Sequence, residues 1–179
     1  MADTTDLTGA RRVLCLDTSV LVKYFSPDEQ ELAATSLVDT ALRSGVPLTA
    51  PFWFWAEIGS VLRKKLRAGL LLPRQASAIW DAVQQLPIDF YDDPAMRQRA
   101  WEIADRFKLP TLYDAAFLAC TELAPALDGA QREFWTADAR LLRQLGAEKP
   151  AYVRDLRELA AVNPGKGQDM GTGRDEVGA

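Results

Sequence analysis

The chain is expected to fold as an α/β protein, a three-layer α/β/α sandwich around a mostly parallel sheet of four to five strands. Three observations predict this. Apolar runs of strand length alternate with segments of helical spacing, and proline, glycine or a capping residue stands between most of them. The 179 residues, 48% of them hydrophobic, are enough for one domain with a proper core and too few for two comfortable ones. Strands that alternate with helices pair in parallel, with right-handed crossovers covering both faces of the sheet.

Taken in order, Val13 to Leu16 is apolar throughout, as a strand buried on both faces would be, and runs directly into Asp17. A short helix through Val20, Leu21 and Tyr24 follows. Ser26, Pro27 and Glu29 then read as a helix start, with a hydroxyl cap, proline at the first helical position and an acid three residues after the cap; that helix is expected to run to about Ser44 and stop at Gly45. Val46 to Ala50 reads as the second strand and Trp53 to Ala68 as a long helix closed by Gly69. Pro73 to Gln85 is predicted helical, Ile88 to Tyr91 the third strand, and Pro94 to Phe107 a helix halting before Pro110. From Tyr113, the spacing of Ala116, Phe117, Cys120 and Leu123 predicts a helix that Pro125 ends. Glu133 to Thr136 is the fourth strand, Ala139 to Leu145 a helix, and Ala151 to Val153 a short fifth strand. Residues 1–12 form an N-terminal extension and 13–162 the domain. Residues 163–179, glycine-rich and without aromatics, are expected to be a disordered tail. The Gly165-Lys166-Gly167 run within that tail has no strand before it and no helix after it, so it is not a phosphate loop.

Composition excludes several chemistries. There is no histidine and there are only two cysteines, Cys15 and Cys120, far apart in sequence. Ser-His-Asp and Cys-His hydrolysis, histidine-based RNA cleavage and Cys/His zinc sites all need residues this chain lacks. A bound metal would have to be held by oxygen, which favours magnesium or manganese. The cysteines read as small core residues of a reducing compartment. With no signal peptide and no membrane-length apolar run, a cytoplasmic protein with no membrane partner is expected. The formal charge of −4 runs against phosphate recognition, but the tail contributes −1 and Met1 to Arg12 nothing, leaving −3 for the domain. Neutralising four acids with divalent ions would reverse that sign.

Asp17, Glu57, Asp114 and Asp138 stand out. In an open parallel sheet the functional crevice lies beyond the carboxyl ends of the strands, near the reversal of strand order; Asp17 and Asp138 fall there, while Glu57 and Asp114 sit near helix starts. Capping alone would account for Asp17, Asp114 or Asp138 taken singly. Glu57 is harder to dismiss because it interrupts the apolar run Phe52 to Ile58. Two carboxylates about 5 Å apart repel by roughly 3 kcal/mol at an effective dielectric near 20, so four in one pocket imply protons or cations that balance them. Thr18, Ser19 and Thr136 can orient water or ligand oxygens around them, or simply cap helices.

The segments LDTSVLVKYF around Asp17, FWFWAEIGSVLRKKLRAG around Glu57, LYDAAFLACTE around Asp114 and FWTADARLL around Asp138 resemble the PIN-domain nucleases, with the nearest likeness to VapC-type toxins of toxin–antitoxin systems. The resemblance covers about Val13 to Val153. It implies that Asp17, Glu57, Asp114 and Asp138 bind Mg2+ or Mn2+, with Thr136 as a polar neighbour. It also implies an endoribonuclease that is commonly a homodimer, inhibited by an antitoxin protein whose tail fills the groove. Two departures stand beside it: the residues before the first strand, and a long connection through Ala124 to Arg132.

Arg63, Lys64, Lys65 and Arg67, beyond Glu57 on the same predicted helix, can meet an RNA backbone, although a solvated face explains them as well. Trp53 and Trp55 read as base-stacking or, more simply, as core or dimer packing. The competing readings are an RNA-processing nuclease without an antitoxin, a phosphoreceiver-like magnesium-binding module and a non-catalytic binding domain. A phosphoreceiver would show an acidic pair after the first strand, and a dehalogenase-like phosphatase an Asp where Ser19 stands.

Overall fold

The computed structural model describes residues 12–162. The expected extension, but for Arg12, and the expected tail with its Gly-Lys-Gly run lie outside the described residues. Five strands, β1 (Arg12–Leu16), β2 (Leu48–Pro51), β3 (Ile88–Tyr91), β4 (Gln131–Thr136) and β5 (Val153–Asp155), form one sheet in the order β3-β2-β1-β4-β5. Every pairing is parallel. The chain builds outward from β1 through β2 to β3, then returns to lay β4 on the opposite side of β1. The strand order therefore reverses between β1 and β4, the two strands that deliver Asp17 and Asp138.

The helices are α1 (Thr18–Phe25), α2 (Leu32–Arg43), α3 (Phe54–Arg67), α4 (Pro73–Gln84), α5 (Pro94–Phe107), α6 (Leu112–Leu123), α7 (Ala139–Leu145) and α8 (Arg157–Val162). Their ends follow local chemistry. Asp93 caps α5 through the Ala95 amide at 2.7 Å, with Pro94 in its first turn, and Lys108 ends it in a left-handed conformation, φ 54°. The Gln75 side chain accepts from the Leu72 amide at the start of α4. α6 lies across β2, β1 and β4 and packs along α5, whereas α1 packs on α2 and α3, and α3 on α4. Seven consecutive residues of α6, Ala115 to Thr121, are buried. The core between layers holds Phe54, Phe117, Phe134, Leu21, Ile58 and Leu118, all almost completely enclosed. Cys15 and Cys120 are both free and buried there, as expected of core thiols.

One expected helix boundary is wrong. Ser26 does not start α2; its amide closes α1 onto the Val22 carbonyl at 2.8 Å, and its hydroxyl donates to Asp28 rather than to a helical amide. Residues 26–31 form a connection tied to α3 by Lys65, which pairs with Asp28 and Glu29, and α2 begins only at Leu32. Tertiary pairing overrides a good local capping pattern. The fifth strand lies two residues later than expected, and the short helix α8 follows it.

Candidate active site

Each of the four acids sits at the start of a helix. Asp17 caps α1, its carboxylate accepting from the Ser19 amide at 3.4 Å. Asp138 caps α7, accepting from the amides of Arg140 at 2.6 Å and Leu141 at 3.2 Å. Glu57 and Asp114 lie in the first turns of α3 and α6. Helix starts favour negative charge because unsatisfied N–H groups and the aligned peptide dipoles point there. Asp17 and Asp138 are therefore helix caps, and their place at the strand-order switch point keeps them candidates for a site. Asp114 is not a cap: Thr111 holds that position, and the only polar partner of Asp114 among the described residues is Arg140, at 3.6 Å.

Polar neighbours tie β1 to β4 at the switch point. The Thr136 hydroxyl, fully buried, donates to Asp17 Oδ2 and accepts from the Asp138 amide at 3.0 Å. Ser19 Oγ donates to Asp17 Oδ2 at 2.8 Å and accepts from the Ala137 amide at 3.0 Å. The Asp17 amide donates to the Trp135 carbonyl at 3.0 Å. Thr18 Oγ1 donates to Glu57 Oε2 at 2.6 Å and joins α1 to α3. The three hydroxyl residues expected around the acids therefore all contact them.

The electrostatics show that the four charges share one field. Glu57 is pushed up to about 7, chiefly by burial, with the charges of Asp17 and Asp114 adding to the rise and Thr18 and Lys64 opposing it. Asp114 rises to about 6, again through burial first, then through Asp17 and Asp138, against the pull of Arg140. Burial also raises Asp17, with the hydrogen bonds from Thr136 and Ser19 holding it down. Desolvation and like charge penalise the ionised forms together.

This donor set is all oxygen and suits a hard divalent cation, and the raised carboxyl groups need a balancing positive charge at neutral pH. As they lie, no three of these carboxylates among the described residues are close enough to share one ion, and both Asp17 and Glu57 already accept hydroxyl hydrogen bonds. Unneutralised like charges favour that spread. The residues fit the group in the chemistry of their donors, all hard oxygens, while their arrangement among the described residues does not bring three of them onto one ion.

The basic residues of α3 divide. Arg63, Lys64 and Arg67 are exposed. Lys65 turns inward: it is 6% exposed and bonded to Asp28 at 2.6 Å and to Glu29, so it holds the connection after α1 and presents no charge to a polyanion. The tryptophans divide too. Trp55 opens onto a groove of about 520 Å³ between α3 and α4, bounded also by Trp80 and Arg63. Trp53 stays near the acids, edge-on to Tyr113 at 5.2 Å and to Phe117 at 5.4 Å. Sequence reading missed Arg140, the exposed cation beside Asp114; its position two residues after Asp138 was the available signal.

The characteristic sequence pattern of the PIN domain matches residues 14–146, and the chain belongs to the PIN domain family. PIN domains are a nuclease-type fold and their nucleases generally use divalent metals. Among solved structures, the chain is similar to the crystal structure of PAE2754 from Pyrobaculum aerophilum. The two are 24% identical, the match covers 86% of this chain and 99% of that one, and the TM-score is 0.54. That likeness supports the fold. No curated protein matches the chain.

Proposed function

We propose that the protein is a magnesium- or manganese-dependent endoribonuclease and acts as the toxin of a type II toxin–antitoxin pair. What supports the catalytic part is that Asp17, Glu57, Asp114 and Asp138 all stand at helix starts around the strand-order switch point, with charges that bear on one another. The likeness of the four surrounding segments to VapC-type toxins supports the biological part, together with the homodimer and the antitoxin partner it implies.

Asp17, Glu57, Asp114 and Asp138 would hold the cation, which when bound lowers the pKa of a coordinated water and stabilises the oxygen leaving a phosphodiester. The chain's own groups do the positioning. Thr136 and Ser19 fix both the rotamer of Asp17 and the spacing of β1 from β4. Thr18 aims Glu57. Arg140, with Arg63, Lys64 and Arg67 further out, offers positive charge to a phosphate backbone approaching an acidic centre.

The test is cleavage of cellular RNA by the purified protein in Mg2+ or Mn2+, for wild type and for Asp17→Asn, Glu57→Gln, Asp114→Asn and Asp138→Asn. Endonucleolytic fragments from wild type, abolished by chelation and reduced at least a hundredfold in the variants, are expected. RNA left intact by wild type under all these conditions, or cut equally by the variants, refutes the catalytic reading. Growth arrest on expression, relieved by a neighbouring small protein, separates the toxin from an RNA-processing nuclease without an antitoxin.

A further inference from the structure

Each of the four acids is held by a partner, and the partners differ in kind. Asp17 accepts from the hydroxyls of Thr136 and Ser19, Glu57 from that of Thr18, and Asp138 from two amides of α7. Those donors are neutral. Among the described residues only Asp114 of the four is paired with a charge: Arg140 Nη2 lies 3.6 Å from its Oδ2, reaching from the first turn of α7 to the first turn of α6. The rest of its setting does not favour a cation. The side chain is 64% exposed, and positive charge at a helix start faces unsatisfied N–H groups that prefer an anion. The Arg140 amide, by contrast, donates to the Asp138 carboxylate at 2.6 Å. One residue thus touches two of the four acids, Asp138 with its backbone and Asp114 with its guanidinium.

The kind of partner decides what each acid can offer a divalent cation. A carboxylate that accepts from a hydroxyl or an amide keeps lone pairs for a metal. A guanidinium instead brings a full positive charge to the carboxylate and repels a second cation there. No three of the acids are near enough to share one ion in this arrangement, and Asp114 is the member whose charge is already balanced from within. Displaced from Asp114, the guanidinium would remain anchored by α7 beside Asp138 and need another anion. Its planar fork of N–H donors matches a phosphate as well as a carboxylate.

We propose that Arg140 is an exchangeable counter-cation: it pairs with Asp114 in the metal-free protein, yields that carboxylate to a divalent cation, and then pairs with a phosphate of the RNA strand. Metal and RNA binding are thereby coupled, each strengthening the other by the same factor. The inference rests on the nuclease reading above and adds how the empty site is balanced and how filling it favours the substrate. Arg140 is a positioning residue and takes no part in bond breaking.

The test uses the full chain and two probes, Mn2+ alone followed by calorimetry and a fluorescein-labelled 2′-O-methyl RNA 12-mer followed by anisotropy. In EDTA at pH 8.5, above the raised values of both carboxyls, Asp114→Asn and Glu57→Gln each remove one negative charge, but only the first frees Arg140. Asp114→Asn is expected to bind the 12-mer about 2- to 5-fold more tightly than Glu57→Gln, the worth of one exposed ion pair, and this excess disappears when Arg140→Gln is added to both. Mn2+ alone is expected to bind Arg140→Gln about 2- to 5-fold more tightly than wild type. Arg143→Gln, which removes the same charge from the exposed last turn of α7, changes Mn2+ binding little. Equal affinity of Asp114→Asn and Glu57→Gln for the 12-mer overturns the exchange and leaves the nuclease reading standing, as does an excess that survives Arg140→Gln. Equal tightening of Mn2+ binding by Arg140→Gln and Arg143→Gln also overturns it, since net charge alone then explains the effect. Wild type that binds neither Mn2+ nor the 12-mer removes the nuclease reading and the exchange together.

Discussion

Replacing Glu57 with glutamine is expected to stabilise the metal-free protein, an unusual outcome for a change at a half-buried polar position. Burial and the neighbouring Asp17 and Asp114 charges move this carboxyl from 4.5 to about 7. The sign follows from proton linkage. The folded state keeps the proton over a range where the unfolded chain has released it, so stability is complete below pH 4.5 and falls as pH rises through about 7. Taken whole, that displacement corresponds to roughly 3 kcal/mol; partial contact of the carboxyl with water screens it to about 1.5 kcal/mol. Glutamine is neutral at every pH and keeps an oxygen that can accept the Thr18 hydrogen bond. In EDTA, Glu57→Gln should match wild type near pH 4.5 and exceed it by about 1.5 kcal/mol at pH 8.5, a rise in Tm of about 3–6 °C for a chain of this size. Thermal and urea melts across that pH range measure it. A variant less stable than wild type at pH 8.5, or a difference independent of pH, would refute the claim that Glu57 sits in a desolvated, like-charged cluster.

Three further perturbations probe separate parts of the account. Asp114→Asn should stabilise the apo protein by about 1 kcal/mol above pH 7, because this carboxyl is pushed up to about 6, and should at the same time weaken Mn2+ binding in calorimetry; a loss of apo stability would show that its pair with Arg140 matters more than the repulsion. Thr136→Val keeps shape but removes the hydroxyl that bonds Asp17 and the Asp138 amide, so a loss of about 1–3 kcal/mol is expected in urea melts, largely recovered in Thr136→Ser. Lys65→Met should cost stability, about 1–3 kcal/mol, while leaving RNA affinity unchanged, in contrast to Lys64→Ala. Lys65 holds the Asp28 carboxyl below its ordinary value, so the stability it contributes is present above pH 4 and lost as pH falls further; the Lys65→Met penalty should shrink in acid.

Much of this was legible in the sequence, and what was not has physical causes. Val13 to Leu16 declared itself as a strand because it is apolar throughout and runs into Asp17, Ile88 to Tyr91 because Pro87 and Asp92 bound a β-favouring run, and Pro94 marked the start of α5. The misplaced start of α2 shows the limit of local pattern: Ser26-Pro27 has good helix-start chemistry, yet Lys65, some forty residues away, draws Asp28 and Glu29 into ion pairs. The same long-range pairing removed Lys65 from the set of cations offered to RNA, since helical spacing alone does not say which of Arg63, Lys64, Lys65 and Arg67 faces inward. The acids were found by their joint occurrence and by the likeness of their four segments to PIN-domain nucleases; singly, only Glu57 stands out, because it interrupts an apolar run. Arg140 and the exposed face of Tyr113 were not found, because the first depends on how α7 approaches α6 and the second on how α6 starts beside Trp53 of α3, facts of packing and not of composition.

The central claim is that Asp17, Glu57, Asp114 and Asp138 act together as one cation site, and titration of the purified wild-type protein and of Asp17→Asn with Mn2+ tests it most directly. Saturable binding to wild type, a gain of about 2.7 kcal/mol in stability at a hundred times Kd, and loss of most of both in Asp17→Asn are expected. Wild-type protein that neither binds Mn2+ nor gains stability from it, or Asp17→Asn that binds as well as wild type, would contradict the account: the four carboxylates would then be helix caps and surface acids that happen to share one end of the sheet.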